Sequence, residues 1–172
     1  PKKCKDFYKK SLVILSSYSG NTEEVLEAYN EAKEQGYDMA VIAVGGKLIE
    51  LAIADGISYV QLPDTGIQPR SALGFSLLAL LALLKQENRI KELSNLVENL
   101  DPNIFEQRGK VLAEQLKDKV PLIYSSRRNE AIAYNWKIKL NETGKIPAFY
   151  NVFPELNHNE MTGFDIVEKT KH

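Results

Sequence analysis

Three short apolar runs, separated by stretches with helical spacing, constrain the fold of this chain more than any other feature. Leu12-Val13-Ile14-Leu15 ends in Ser, Gly and Asn residues, and Met39 to Val44 is closed by Gly45-Gly46. Ser58 to Leu62 leads into a Pro/Gly-rich loop through Pro69. Unbroken apolar runs of this length are what a parallel strand covered on both faces requires. Between them, Val25, Ala28, Tyr29 and Ala32 recur at helical spacing before Gly36, and Leu48 to Ala54 suits a short helix stopping near Gly56. This β-α-β-α-β order with short connections predicts a parallel sheet covered by helices.

Ser71 to Leu84 reads as a helix that is apolar nearly all round, so it is expected to be buried on most sides, in a core or beneath another subunit. Glu87 to Leu100 reads as one charged amphipathic helix ending before Asp101-Pro102, and a helical pattern resumes from Pro102 to Lys119. A second unit begins at Pro121: strand Leu122 to Tyr124, the segment Ser125-Ser126-Arg127-Arg128-Asn129-Glu130, a helix from Ala131 to Asn141, and a strand from Ala148 to Val152. A polar loop, Pro154 to Thr162, follows, and Phe164 to His172 carries too little pattern to assign. The plan of strand, two serines, loop and helix occurs at Leu15 and again at Tyr124, which points to two related subdomains. The expected division is 1–86, connecting helices over 87–119, and 120–172.

A length of 172 residues allows one ordinary domain or two small ones. The 22 basic and 23 acidic residues leave a formal net charge of -1, so no broad attraction to nucleic acid or a membrane surface is expected. A small anion must then be captured by local geometry. The single cysteine, Cys4, can form no internal disulfide and reads as incidental, and no Cys/His cluster has metal-ligand spacing. The first residues lack the apolar core of a secretion signal, and the longest uncharged run, Ser71 to Leu84, is shorter than the ~20 residues a bilayer requires. A soluble cytoplasmic protein without metal or cofactor is expected.

The segment Ser16 to Glu24 is the first place where chemistry can be assigned. It follows a predicted buried strand and opens a helix, the edge at which ligands bind in open α/β sheets. Backbone N–H groups and the helix dipole there attract phosphate, Ser17, Ser19 and Thr22 add hydroxyl donors, and Gly20 allows a close backbone approach. An ordinary capped helix start explains the same residues, with Asn21 as N-cap and Glu24 in a capping-box position. Both readings stand on the residues alone.

Ser17-Tyr18-Ser19-Gly20-Asn21-Thr22-Glu23-Glu24 resembles the phosphate-binding signature of sugar isomerase (SIS) domains. With Gly45-Gly46-Lys47-Leu48, Gln68-Pro69-Arg70-Ser71-Ala72-Leu73-Gly74, Asn141-Glu142-Thr143-Gly144-Lys145 and Pro154-Glu155-Leu156-Asn157-His158-Asn159-Glu160 in that order, the chain resembles the bifunctional phosphoglucose/phosphomannose isomerase family, a double-SIS branch. The resemblance implies an α/β fold of two SIS-type, flavodoxin-like parallel-sheet subdomains with helices on both faces. An earlier Gly/Ser-rich loop and later strands with a lysine-bearing helix have no counterpart here, so each subdomain is expected to hold only part of its sheet, as in a fragment of a longer enzyme.

The resemblance further implies interconversion of glucose 6-phosphate, and of mannose 6-phosphate, with fructose 6-phosphate. Ser17, Ser19 and Thr22 would hold the phosphate. Glu142 would move a proton between neighbouring carbons through a cis-enediolate, His158 would open the sugar ring, and Arg70 would stabilise the enediolate oxygen. The histidine would arrive across a homodimer interface. Without the resemblance, Glu142 reads as a surface carboxylate at a helix end, His158 as a loop histidine and Arg70 as a surface charge. A non-catalytic sugar-phosphate sensor is the alternative from another class, although no helix-turn-helix accompanies it. An aminosugar-phosphate enzyme is a third reading, against which the Glu142 and His158 blocks argue. Arg127-Arg128 reads as a solvated pair or an anion contact, Gly45-Gly46 as a substrate-side turn or a strand exit, and Tyr134 and Trp136 as core packing.

Overall fold

The computed structural model describes residues 11–164; Cys4, the N-terminal segment and 165–172 lie outside them. The chain divides into two compact units, Pro1–Leu100 and Asp101–His172.

In the first unit, β1 (Leu12–Ser16), β2 (Asp38–Ala43) and β3 (Ser58–Gln61) form a parallel sheet in the order β1-β2-β3. Leu12 pairs with Asp38 and Ala40 with Ser58. The crossovers are α1 (Glu23–Glu34) and α2 (Gly46–Asp55). Strand alternation sends Leu15, Met39, Val41 and Ala43 to one face, where they pack with Tyr29 and Ala32 of α1 and Leu48, Ile49 and Ala52 of α2. Ile42, with half-buried Ile14, Val44 and Val60, faces the other way, against Ala79, Phe75, Leu80 and Leu83 of α3 (Leu73–Leu83). Helices therefore cover both faces of β2, which is why that strand is an unbroken apolar run. Tyr29, Leu48 and Val41 are fully buried, and each such side chain contributes about 1.5–3 kcal/mol. The Tyr29 hydroxyl donates to Asp55 Oδ2 at 2.8 Å, and Lys33 Nζ meets the same carboxylate at 2.7 Å, tying α1 to the end of α2.

Two expectations for this unit are corrected. The α3 helix is not buried on most sides: Ala79 is its one fully buried residue, while Leu73, Leu77 and Leu78 remain exposed. Besides the sheet, it meets the following segment Glu87–Ser94, which leaves these leucines partly open. The expected helix over 87–100 is two, α4 (Glu87–Ser94) and α5 (Leu96–Asn99). Near the break Ser94 Oγ donates to the Ile90 carbonyl and Asn99 Nδ2 to the Asn95 carbonyl, the local competition with the helix ladder that these residue types bring.

The second unit opens with α6 (Pro102–Leu116), where Pro102 stands in the first turn and the Asp101 carboxylate accepts from the Asn103 N–H at 2.9 Å. Then β4 (Leu122–Ser126) and β5 (Phe149–Phe153) pair in parallel, Tyr124 opposite Asn151, through the crossover helix α7 (Glu130–Glu142). Tyr134 of α7 meets Tyr150 edge-on at 5.4 Å between ring centroids, so α7 covers the sheet face that carries Tyr150. Tyr134 and Trp136 are both 48% exposed and are not the core residues expected, since the buried position on α7 is Ala133. The polar stretch after β5 condenses into two 3₁₀ turns, Glu155–Asn157 and Met161–Phe164. Among the described residues, no helix is long and apolar enough to cross a membrane.

Candidate functional site

β1 ends at Ser16, and the next residues continue its ladder for one more step: Ser17 N–H donates to the Ile42 carbonyl and Val44 N–H to the Tyr18 carbonyl. The loop after β1 is thereby fixed at the C-terminal edge of the sheet. It then locks onto the loop after β2. Gly20 (φ +73°) and Gly46 (φ +72°) lie back to back: a Cβ on Gly20 would overlap the Gly45 carbonyl oxygen, and one on Gly46 would overlap the Ser19 carbonyl and the Asn21 side chain. Gly20 does permit a close backbone approach, but the neighbour it admits is this chain's own Gly45. The pair Gly45-Gly46, open to two readings in the sequence, is the other half of that contact.

Hydrogen bonds complete the clasp. Leu48 N–H donates to the Gly20 carbonyl at 2.9 Å, and Lys47 N–H donates to Asn21 Oδ1 at 2.9 Å. Asn21 therefore caps α2. The expectation that it caps its own helix is corrected: Thr22 is the N-cap of α1 and makes no side-chain capping bond. The Thr22 hydroxyl turns instead to Ser17 Oγ at 2.8 Å. Buried Ser17 also accepts from the Gly20 N–H at 3.1 Å, and exposed Ser19 accepts from the Asn21 N–H at 3.2 Å. The Ser17 and Thr22 hydroxyls thus pair beside the start of α1, whose N-cap makes no side-chain capping bond.

Arg70 lies in a 3₁₀ turn, Pro69–Ser71, on the connection between β3 and α3. In the second unit, Glu142 is the last residue of α7 and exposed, and His158 is exposed at the end of the Glu155–Asn157 turn. The geometry does not bring these two together. Glu142 ends the helix covering one face of the β4-β5 sheet, near where β5 begins, whereas His158 follows the end of β5 on a loop held to the other face. Arg127 and Arg128 are exposed in a turn before α7. Among the described residues, no group of three or more His, Cys, Asp or Glu side chains is placed to hold a metal ion.

What holds the His158 loop was not legible as a site in the sequence. The Glu160 carboxylate receives the Tyr124 hydroxyl at 2.8 Å on one oxygen and the Asn151 amide on the other. Burial, and then the carboxylate beside it, push the Tyr124 hydroxyl pKa up.

Residues 105–172 match the family described as the bacterial phospho-glucose isomerase C-terminal SIS domain. The bifunctional phosphoglucose/phosphomannose isomerase of Caldicellulosiruptor bescii is 44% identical over 95% of this chain and 51% of that protein. The chain is homologous to the bifunctional phosphoglucose/phosphomannose isomerases. Further relatives of that name are 35–39% identical. A protein named D-glucosamine-6-phosphate 4-epimerase, from Sulfolobus acidocaldarius, is 35% identical over 88% of this chain and 50% of its own length. The chain spans about half the length of these curated relatives. The C-terminal domain of glucosamine-fructose-6-phosphate aminotransferase from Francisella tularensis superposes with a TM-score of 0.62 at 18% identity, covering 95% of this chain and 52% of that one, which shows the SIS phosphosugar-isomerase fold with its parallel sheets.

Proposed function

We propose that this chain forms part of an aldose–ketose isomerase interconverting glucose 6-phosphate, and mannose 6-phosphate, with fructose 6-phosphate. One observation carries the reading: the Ser17–Thr22 hydroxyl pair stands over a helix start that Asn21, spent on α2, does not cap. An anion is the natural complement of such an end. In this reading Ser19, Thr22 and the first amides of α1 take the phosphate oxygens, and Ser17 acts through the hydroxyl of Thr22. The names of the relatives support a sugar phosphate as the anion. The two units are read as portions of two SIS subdomains, and the family match beginning at residue 105, close to the unit boundary, supports this.

With the phosphate anchored, a carboxylate can remove the C2 proton of the opened aldose and return it to C1, while the O2 hydroxyl proton passes to O1. Glu142 takes that role, His158 moves the ring proton on opening, and Arg70 stabilises the enediolate oxygen. A general base must come within ~2.6–3.2 Å of the proton it takes. The family resemblance implies that the histidine comes from a second copy of the chain, a homodimer with its site at the interface, and the placement of Glu142 and His158 on different sides of the β4-β5 pair is compatible with that. The homology to a glucosamine-phosphate epimerase supports a second reading, an aminosugar phosphate as substrate.

The test is fructose 6-phosphate turnover by the full-length protein carrying this chain, against Glu142→Gln. Loss of ~10²–10⁴ in kcat with substrate binding retained is expected. Undiminished turnover refutes the mechanism, and turnover of the amino sugar alone transfers the assignment to the second reading.

A further inference from the structure

His158 stands between two anchors. Two residues before it, Leu156 is fully buried; two residues after it, Glu160 is held by two side chains of the sheet. Tyr124 and Asn151 are directly paired across β4 and β5, so they project side by side from one sheet face. Tyr150, against α7, projects from the other. The Glu160 carboxylate thus seals the face that α7 leaves uncovered and draws the loop back over it.

The polarity of this clasp is fixed. Asn151 Oδ1 accepts from the Val152 N–H at 2.8 Å, so its Nδ2 must point at Glu160. Tyr124 offers a hydroxyl proton to the other oxygen. A carboxylate, an acceptor on both arms, satisfies the two donors together. Within the loop, Asn157 N–H donates to the Pro154 carbonyl, His158 N–H to the Glu155 carbonyl and Thr162 Oγ1 to the Asn159 carbonyl. The histidine backbone is hydrogen-bonded within the loop while its side chain remains exposed.

We propose that Glu160 is a positioning residue, clasped by Tyr124 and Asn151 so that His158 is presented to substrate in one orientation. This rests on the role given to His158 above. Misplacing a reacting group by about 1 Å costs on the order of 10²-fold in rate. In the full-length protein, Glu160→Gln replaces two charged acceptors with one neutral acceptor and one donor, which must face either Asn151 Nδ2 or the Tyr124 hydroxyl; a fall in kcat of about 10- to 100-fold with KM within twofold is expected, because the phosphate pocket is in the other unit. Asn151→Asp added to Glu160→Gln reverses the polarity of the Asn151 arm and is expected to restore most of kcat. Tyr124→Phe removes one arm and should give a smaller loss. Amide hydrogen exchange over 155–163 should accelerate in both single variants and return in the double variant, a readout independent of turnover. Three outcomes overturn the proposal: unchanged kcat in Glu160→Gln, no rescue by the double variant, or equal losses in kcat and binding. Full activity in His158→Ala removes the role on which it rests, and so separates failure of that reading from failure of the clasp.

Discussion

Replacing Gly20 with alanine tests the interlocked loops directly, because Gly36 provides a matched control. Both have a left-handed backbone, φ +73° and +70°, but a Cβ on Gly36 meets nothing within 4 Å, whereas one on Gly20 overlaps the Gly45 carbonyl oxygen. The conformational term is shared and costs about 1 kcal/mol. At Gly20 the two loops must also separate, which disrupts the Leu48 N–H to Gly20 carbonyl bond and the Asn21 cap on Lys47. Each such bond is worth about 1 kcal/mol. Gly20→Ala is therefore expected to cost about 3 kcal/mol and Gly36→Ala about 1 kcal/mol. For a chain of this size the difference is a further fall in Tm of about 4–8 °C. Thermal unfolding followed by far-UV circular dichroism measures it, since the single tryptophan, Trp136, is in the second unit and reports on that unit. Equal losses in the two variants would show that the glycine contact is not a structural constraint.

Ser19→Ala combined with Thr22→Ala should raise the substrate KM at least tenfold with little change in fold, given about 1.5–3 kcal/mol for a hydrogen bond to a charged group; an unchanged KM refutes the phosphate pocket. The Lys33 bond, followed by the Tyr29 hydroxyl, holds the Asp55 carboxyl below its ordinary 3.8, so its stabilisation is present above that pH and is lost as pH falls through the depressed value. Asp55→Asn should flatten the acid limb of a stability–pH curve, and an unaltered limb counts against the assignment. Burial and the same carboxylate push Tyr29 up to about 12, so its contribution, intact below 10, fades only as pH rises towards 12. Leu156→Ala should destabilise the second unit by about 2–5 kcal/mol, followed by Trp136 fluorescence during denaturation; a loss below 1 kcal/mol would mean that Leu156 does not anchor the His158 loop.

The sequence by itself determined the order of strands and helices, because a parallel strand covered on both faces needs a continuous apolar run and the helices between need one apolar stripe. Val41 and Ile42 mark β2 by being apolar in succession, and Gly36 marks the end of α1. It also offered the Ser17–Thr22 loop and, through the family resemblance, Arg70, Glu142 and His158 as candidates for the site. Local pattern could not say which helix Asn21 caps, since its partner, Lys47, is 26 residues away. Nor could it foresee that Gly20 accommodates Gly45, or that Glu160 bonds Tyr124 across 36 residues. Exposure of Leu77 and Trp136 was equally invisible, because side-chain hydrophobicity records a capacity for burial, whereas the packing of neighbouring elements decides whether that capacity is used. Tertiary structure alone fixed these choices: hydrogen bonds and steric contacts form between residues close in space, whatever their separation along the chain.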